Sequence, residues 1–154
     1  MKHPICLLLF FYLPTIYLQI YAARSLLKLE SSISSLTVFS LCQGLIMFLV
    51  RDVLGLFGPH VVILLITHMG LQKLIFKSRM LPEGIMVAVL PLVLAMMGEL
   101  TFVPVVLALL GYTMTDVLNQ LYLFVFIGWI SNLPVIAIAL NMKLTAGREL
   151  TRCI

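Results

Sequence analysis

Charged residues divide the chain into long apolar stretches. No charge occurs in residues 3–23, 31–50, 53–72 or 117–142, and residues 84–115 contain only Glu99. A helix that rises 1.5 Å per residue needs about 20 apolar residues to cross a hydrocarbon layer of ~30 Å. The pattern therefore predicts one all-α membrane domain over residues 1–154, with about five transmembrane helices at approximately 4–23, 33–50, 59–75, 83–110 and 117–141.

Local signals mark several of the predicted helix ends. A serine-rich segment, residues 31–35, precedes the second helix, and serine hydroxyls accept hydrogen bonds from free backbone N–H groups. Thr113 and Asp116 have the spacing of a capping box, and Gly111 is placed to end the fourth helix. Pro91 and Pro104 lie inside the long fourth stretch, so we expect a kink or a break there.

Composition supports a membrane protein and excludes other classes. Hydrophobic residues make up 62% of the chain and charged residues 10%, whereas an average soluble domain has roughly 25% charged residues. A soluble fold of this size cannot hide so much apolar side chain from water. The net charge of +4 is scattered singly between apolar stretches, which argues against a nucleic-acid partner.

The distribution of Lys and Arg predicts the orientation of the helices. With five crossings, eight of the ten Lys and Arg residues fall on one side, and only Lys2 and Arg51 fall on the other. Basic residues in short loops favour the cytoplasmic side of a membrane. We therefore expect an outer N-terminus, a cytoplasmic C-terminus and a location in a bacterial inner membrane, in contact with lipid.

Sequence motifs of catalysis and of cofactor binding are missing from the chain. It has no glycine-rich phosphate loop, no GxSxG and no HExxH, and its three cysteines have no paired spacing. His60 and His68 lie eight residues apart, or about 12 Å along a helix, which is too far for one zinc ion. We therefore expect a protein that is not an enzyme and that needs no metal or cofactor.

Glu99 is the most informative polar position. A carboxylate inside an apolar stretch is costly, so we expect it to face the bundle interior near a partner such as Arg51. The predicted topology places the ends of several helices at the same outer level. This predicts a polar or ligand-binding cluster there, formed by Arg51, Asp52, His60, Glu99 and Asp116. The alternative is that these residues only pair helices or lie in solvated turns.

His68 lies nearer the predicted cytoplasmic end of the third helix, with Thr67 and Gln72 close by in the sequence. A single histidine in such a position is typical of a packing residue that also makes a hydrogen bond. We therefore expect a structural role for His68.

Several short motifs resemble one family of membrane domains. They are Arg24 with Leu26-Leu27, Phe48-Leu49-Val50-Arg51, Gly58-Pro59-His60, Glu99 with Pro104, and Leu133-Pro134. This series, over roughly residues 20–140, is similar to the N-terminal multi-helix sensor domain of Firmicutes histidine kinases of the quorum-sensing Agr type and the sporulation type. The resemblance implies an input domain that biases a cytoplasmic kinase, with Arg51, His60 and Glu99 as its polar positions. Because no kinase domain follows Met142 in this sequence, we expect a stand-alone module or a remnant of one.

Three functions remain open from the sequence. The first is a membrane sensor without catalytic activity, which acts through a partner membrane or kinase subunit, or through a second copy of itself. The second is a small transport component that binds a solute inside the helix bundle, with broken helices near the prolines lining its site. A structural subunit, in which every polar residue only pairs helices, is a third reading.

Overall fold

The structure, a computed structural model, describes residues 4–55, 60–77 and 81–152, without the side chains of residues 4, 60, 81, 118 and 143–152. Within these ranges the chain is helical and contains no strand. Helix α1 consists of three consecutive pieces, Pro4–Leu7, a π-helical turn at Leu8–Tyr12, and Leu13–Leu26. Helix α2 runs over Ile33–Phe48 and continues into a second π-helical turn at Leu49–Val53.

The next two helices differ in length. Helix α3 covers His60–Phe76, and α4 covers Leu81–Leu110. Although Pro91 and Pro104 lie inside α4, it is one continuous helix of 30 residues. The expected break is therefore not at either proline.

The last stretch contains the break instead. A short helix α5 at Met114–Asn119 precedes α6 at Leu121–Ser131 and α7 at Leu133–Arg152. The axes of α6 and α7 differ by 53°, and Asn132 lies between them. Pro134 lies in the first turn of α7, where the missing N–H of proline removes no helical hydrogen bond.

Each of the five predicted segments coincides with helix, but fewer helices are long enough to count as crossings. Three are long and apolar enough to cross a membrane, Ile5–Leu26, Ile33–Val53 and Pro82–Leu110. The bent pair α6 and α7 makes a fourth if it is one broken span. The remaining helix, α3, is apolar but has only 17 residues. The structure of the described residues thus supports three to four candidate spans.

Two glycines allow neighbouring helices to pack closely. A Cβ added at Gly98 of α4 would lie 1.9 Å from the carbonyl oxygen of Ser131, at the end of α6. A Cβ added at Gly128 of α6 would lie 2.4 Å from the ring of Phe11 in α1. Small residues of this kind are typical of helix interfaces in membranes, because association there depends on close van der Waals contact.

The three predicted capping signals are confirmed. Ser32 caps α2, and its hydroxyl accepts a hydrogen bond from the N–H of Ser35. Gly111 follows α4 with φ +69°, a left-handed conformation that glycine adopts without strain. Thr113 and Asp116 form the expected capping box at α5.

Candidate ligand-binding site

A cavity of about 220 Å³ lies between the first four long helices. Helices α1 and α2 contribute two lining residues each, and α3 and α4 contribute four each. Its walls are mostly apolar, and three polar residues, Gln19, Gln43 and His68, also line it. The lining residues are Ile16, Gln19, Gln43, Met47, Val61, Leu64, Leu65, His68, Ala88, Pro91, Leu92 and Ala95.

Residues of α4 explain why space remains at this place. Ala88, Pro91 and Ala95 line the cavity from one face of the helix and have short side chains. Proline has no N–H, so the backbone carbonyl of Val87 loses its regular helical donor. The short side chains of α4 therefore leave space on this side of the cavity.

His68 has one polar atom without a partner. Its ring packs edge-on against Phe39 with 4.8 Å between the ring centroids. Its Nε2 atom is buried and has no hydrogen bond among the described residues. A buried polar atom in this state costs about 1–3 kcal/mol. The ring of His68 packs as expected, but the expected hydrogen bond is not found at Nε2 among the described residues.

Gln43 is held in place by its neighbours. Its side-chain N–H donates to the carbonyl oxygen of Leu64 at 3.1 Å, and its side-chain oxygen lies 3.4 Å from the Thr67 hydroxyl, whose proton is shared with the Leu64 carbonyl at 3.1 Å. Because donor and acceptor are both engaged, Gln43 links α2 to α3 and gives the cavity one fixed polar wall.

Gln19 connects the cavity to the bend between α6 and α7. Its side-chain N–H donates to Asn132 Oδ1 at 2.9 Å, across 113 positions of the sequence. Asn132 is only 5% exposed, and its own N–H group donates to the carbonyl oxygen of Gly128 at 2.8 Å. The residue at the bend is therefore hydrogen-bonded to a residue that lines the cavity.

The structure places the expected outer cluster in a different arrangement. The hydroxyl of Tyr12 donates to Asp52 at 2.8 Å, and the guanidinium of Arg51 lies 5.2 Å from the centroid of the Phe124 ring. Tyr12 is eight residues after Pro4, which is about 12 Å along the axis of α1. Because Asp52 contacts Tyr12, the end of α2 lies at this depth and not at the start of α1. Arg51 and Asp52 thus meet α1 and α6 rather than a common site with Glu99.

Glu99 is exposed, next to the exposed side chains of Met96, Met97 and Leu100. No hydrogen bond or ion pair of its carboxylate is found in the part of the chain that the structure describes. The expectation that Glu99 faces the bundle interior is wrong for this structure, because the neighbouring Gly98 takes the interior position against Ser131.

Asp116 belongs to the N-terminal capping box of α5. Its carboxylate accepts hydrogen bonds from the N–H of Thr113 at 2.8 Å and from the Thr113 hydroxyl. These bonds, first from the side chain and then from the backbone of Thr113, hold the pKa of Asp116 below its usual value. The side chain of His60, the remaining predicted residue, lies outside the described part of the chain.

A second polar cluster surrounds Arg24, which is 5% exposed. Its guanidinium donates to Gln72 at 3.2 Å and to the carbonyl oxygen of Glu30, and it lies 3.9 Å from the centroid of the Phe76 ring. Arginine suits such a site because its planar group can stack and donate at the same time. This cluster fastens α1 to the end of α3.

The sequence contained a signal for the amide residues of the cavity and of the bend that charge alone does not reveal. Gln19, Gln43 and Asn132 are isolated amides within stretches that lack charge. A buried amide needs hydrogen-bond partners, so an amide in an apolar helix indicates a contact with another helix.

Comparison with known proteins does not identify the chain. No family model matches the sequence, and neither the curated proteins nor the solved structures give a match to it.

Proposed function

We propose that this chain is a non-catalytic, multi-pass membrane protein of the signal-input type. It binds a small ligand in the cavity lined by α1, α2, α3 and α4. The observation that carries the proposal is the hydrogen bond from Gln19, in the cavity wall, to Asn132 at the bend. A ligand that displaces Gln19 changes the contacts of Asn132, and so favours a different angle between α6 and α7.

Five crossings are part of the proposal. The 17 residues of α3 span about 26 Å, a few ångströms less than a typical hydrocarbon layer, and local thinning of a bilayer accommodates such a difference at modest cost. The contacts of Arg24 with Gln72 and Phe76 bring basic segments of α1 and α3 to one end of the bundle, which supports a common cytoplasmic side.

The output then passes through α7. In the proposed orientation this helix leads to the cytoplasm, and its angle to α6 is the property that a partner membrane or kinase subunit, or a second copy of the chain, reads. This agrees with what the resemblance to kinase sensor domains implies. The location that follows is the inner membrane of a bacterial cell.

A cavity-filling variant tests this function without knowledge of the ligand. Ala95→Leu adds side-chain volume inside the cavity, whereas Ala108→Leu adds the same volume at an exposed position of the same helix. In native cells that carry each variant in place of the wild type, we expect Ala95→Leu alone to change the set of transcribed genes. Identical transcription in both variants would contradict the signal-input function.

Transport is the second candidate, and the bend at Asn132 favours it. Discontinuous helices line the substrate sites of many transporters, and here the discontinuity touches a cavity residue. Proteoliposomes that contain only this protein separate the two functions. Suppose that a cavity-sized solute crosses the membrane with the wild type and with Ala108→Leu, but not with Ala95→Leu. This result would show that the protein is a transport component rather than a signal-input protein.

A further inference from the structure

We infer that the face of α4 around Glu99 docks against a membrane-spanning helix of a partner protein, and that this helix carries a Lys or Arg side chain level with Glu99. The inference uses the membrane location of the chain but not the ligand of the cavity. It is therefore tested separately from the proposed signal-input function.

Glu99 lies well inside the candidate span Pro82–Leu110. It stands 17 residues after the start of this span and 11 residues before its end, which is about 26 Å and about 17 Å along the helix axis. Exposed apolar side chains continue beyond Glu99, and Leu109 is 80% exposed. Because apolar surface extends on both sides of Glu99, its carboxylate lies at the depth of the hydrocarbon layer.

The Glu99 side chain lies on the outer surface of its own bundle. It is exposed, and no hydrogen bond or ion pair of its carboxylate is found among the described residues. The inward contact with Ser131 belongs to the preceding residue, Gly98. Ionisable side chains at this depth are costly, so they almost always pair with another group or face protein. Glu99 therefore indicates a contact with a second protein.

The surface around Glu99 is apolar and uncovered. Met96 lies one helical turn before Glu99 and Phe102 one turn after it, and both are exposed. Only 17% of the apolar window of α4 is buried, compared with 39% for the span in α1 and 33% for the span in α2. Of these three spans, α4 is thus covered least by its own chain, which leaves room for another helix.

The charge of Glu99 restricts the partner. Lys or Arg supplies both a counter-charge and hydrogen-bond donors to a carboxylate. A second copy that docks by the same face would instead bring two Glu99 carboxylates together, and like charges repel.

The other basic residues of the chain do not favour a second copy either. Arg51 contacts Phe124. The remaining basic side chains that the structure describes lie in or just after the last turns of α1 and α3, and they are Arg24, Lys28, Lys73 and Lys77. Because α4 begins five residues after α3 ends, these side chains lie toward the start of α4 and far from the depth of Glu99.

Photocrosslinking in native cells tests the inference with the full-length chain. A photoreactive amino acid replaces Met96, which is exposed one turn from Glu99. In a reference protein it replaces Leu74 of α3, which is also exposed. Mass spectrometry identifies the crosslinked protein and the crosslinked segment.

We expect position 96, but not position 74, to crosslink to a membrane-spanning segment that contains Lys or Arg. Glu99→Gln keeps the size of the side chain and removes its charge, so it should lower the yield about five- to thirtyfold. Thr101→Val is the matched control, because it removes an exposed polar group two residues away without changing charge. It should leave the yield unchanged.

An exchange of charges tests the pair itself. Glu99→Lys should abolish the crosslink, because it places two cations together. Replacement of the identified Lys or Arg of the partner by Glu, in cells that carry Glu99→Lys, should restore it. A contact that depends only on shape would not respond in this way.

Thermal unfolding of the purified protein in detergent shows where the partner of Glu99 lies. Glu99→Gln should leave the unfolding temperature unchanged, whereas a lower temperature would place the partner within this chain and overturn the inference. Crosslinks to lipid alone, to a second copy, or to a segment without Lys or Arg would also overturn it, as would a yield that Glu99→Gln does not change. Failure of the proposed function is a separate result, because the transcription experiment with Ala95→Leu uses no crosslink.

Discussion

The hydroxyl of Tyr12 donates a 2.8 Å hydrogen bond to the carboxylate of Asp52, and this bond joins the two π-helical turns of the structure. Tyr12 is 1% exposed, whereas Asp52 is on the surface. The pair therefore fixes the end of α2 against the middle of α1. Its effect on the bundle can be measured directly.

Tyr12→Phe removes only the hydroxyl of this pair. Because Asp52 remains accessible to solvent, we expect a loss of about 1 kcal/mol in the free energy of unfolding. Unfolding by sodium dodecyl sulfate in mixed micelles measures it. Tyr17→Phe is the control, since no hydrogen bond of the Tyr17 hydroxyl is found among the described residues. Equal stability of the two variants would show that the Tyr12–Asp52 bond contributes nothing.

Gly98→Ala tests the close approach of α4 to the bend. The added methyl group would lie 1.9 Å from a backbone oxygen, so the helices must separate, and we expect destabilisation by about 1–3 kcal/mol. A Cβ added at Gly84 in the same helix would meet no atom of the described residues within 4 Å. There the helical preference of alanine should leave stability unchanged or raise it by up to about 1 kcal/mol. Thermal unfolding in detergent compares the two, and tolerance of alanine at both sites would refute the packing of Gly98.

Gln19→Ala and Asn132→Ala, with the double variant, measure the contact between the cavity and the bend. We expect a coupling energy of about 0.6 kcal/mol, typical of hydrogen bonds between membrane helices. Trp129 is the single tryptophan and lies three residues before Asn132, so its fluorescence reports the state of the bend. Gln19→Ala should shift Trp129 emission, and Gln120→Ala should not. Additive energies together with unchanged emission would mean that Gln19 does not influence the bend.

The capping box at α5 predicts that the stability of this helix cap depends on pH. The pKa of Asp116 is lowered by its hydrogen bonds from Thr113, so the carboxylate form is the one that stabilises the cap. The contribution is fully present above the usual pKa of Asp and is lost as the pH falls through the lowered value. In ¹⁵N-resolved NMR, the amide proton of Thr113 should move upfield in this acidic range. In Asp116→Asn it should stay constant, and a parallel shift in that variant would contradict the assignment.

The sequence by itself determined the class and the local structure of this protein. A stretch of about 20 apolar residues crosses a hydrocarbon layer as a helix, because each backbone N–H and C=O group then finds a hydrogen-bond partner within its own segment. Capping is equally local, so the serine-rich segment before α2, Gly111 and the Thr113–Asp116 pair could be predicted from residues within one helical turn.

Only the tertiary structure decided which polar residues meet. Glu99 and Arg51 stand out in the sequence because charge is conspicuous, but rotation of a helix by one residue decides whether a side chain faces inward, and Gly98 takes the inward position. Likewise, Gln19 reaches Asn132 and His68 lines the cavity through the packing of helices far apart in the chain. Such contacts depend on helix rotation and crossing angle, and apolar stretches facing lipid on many sides leave both undetermined.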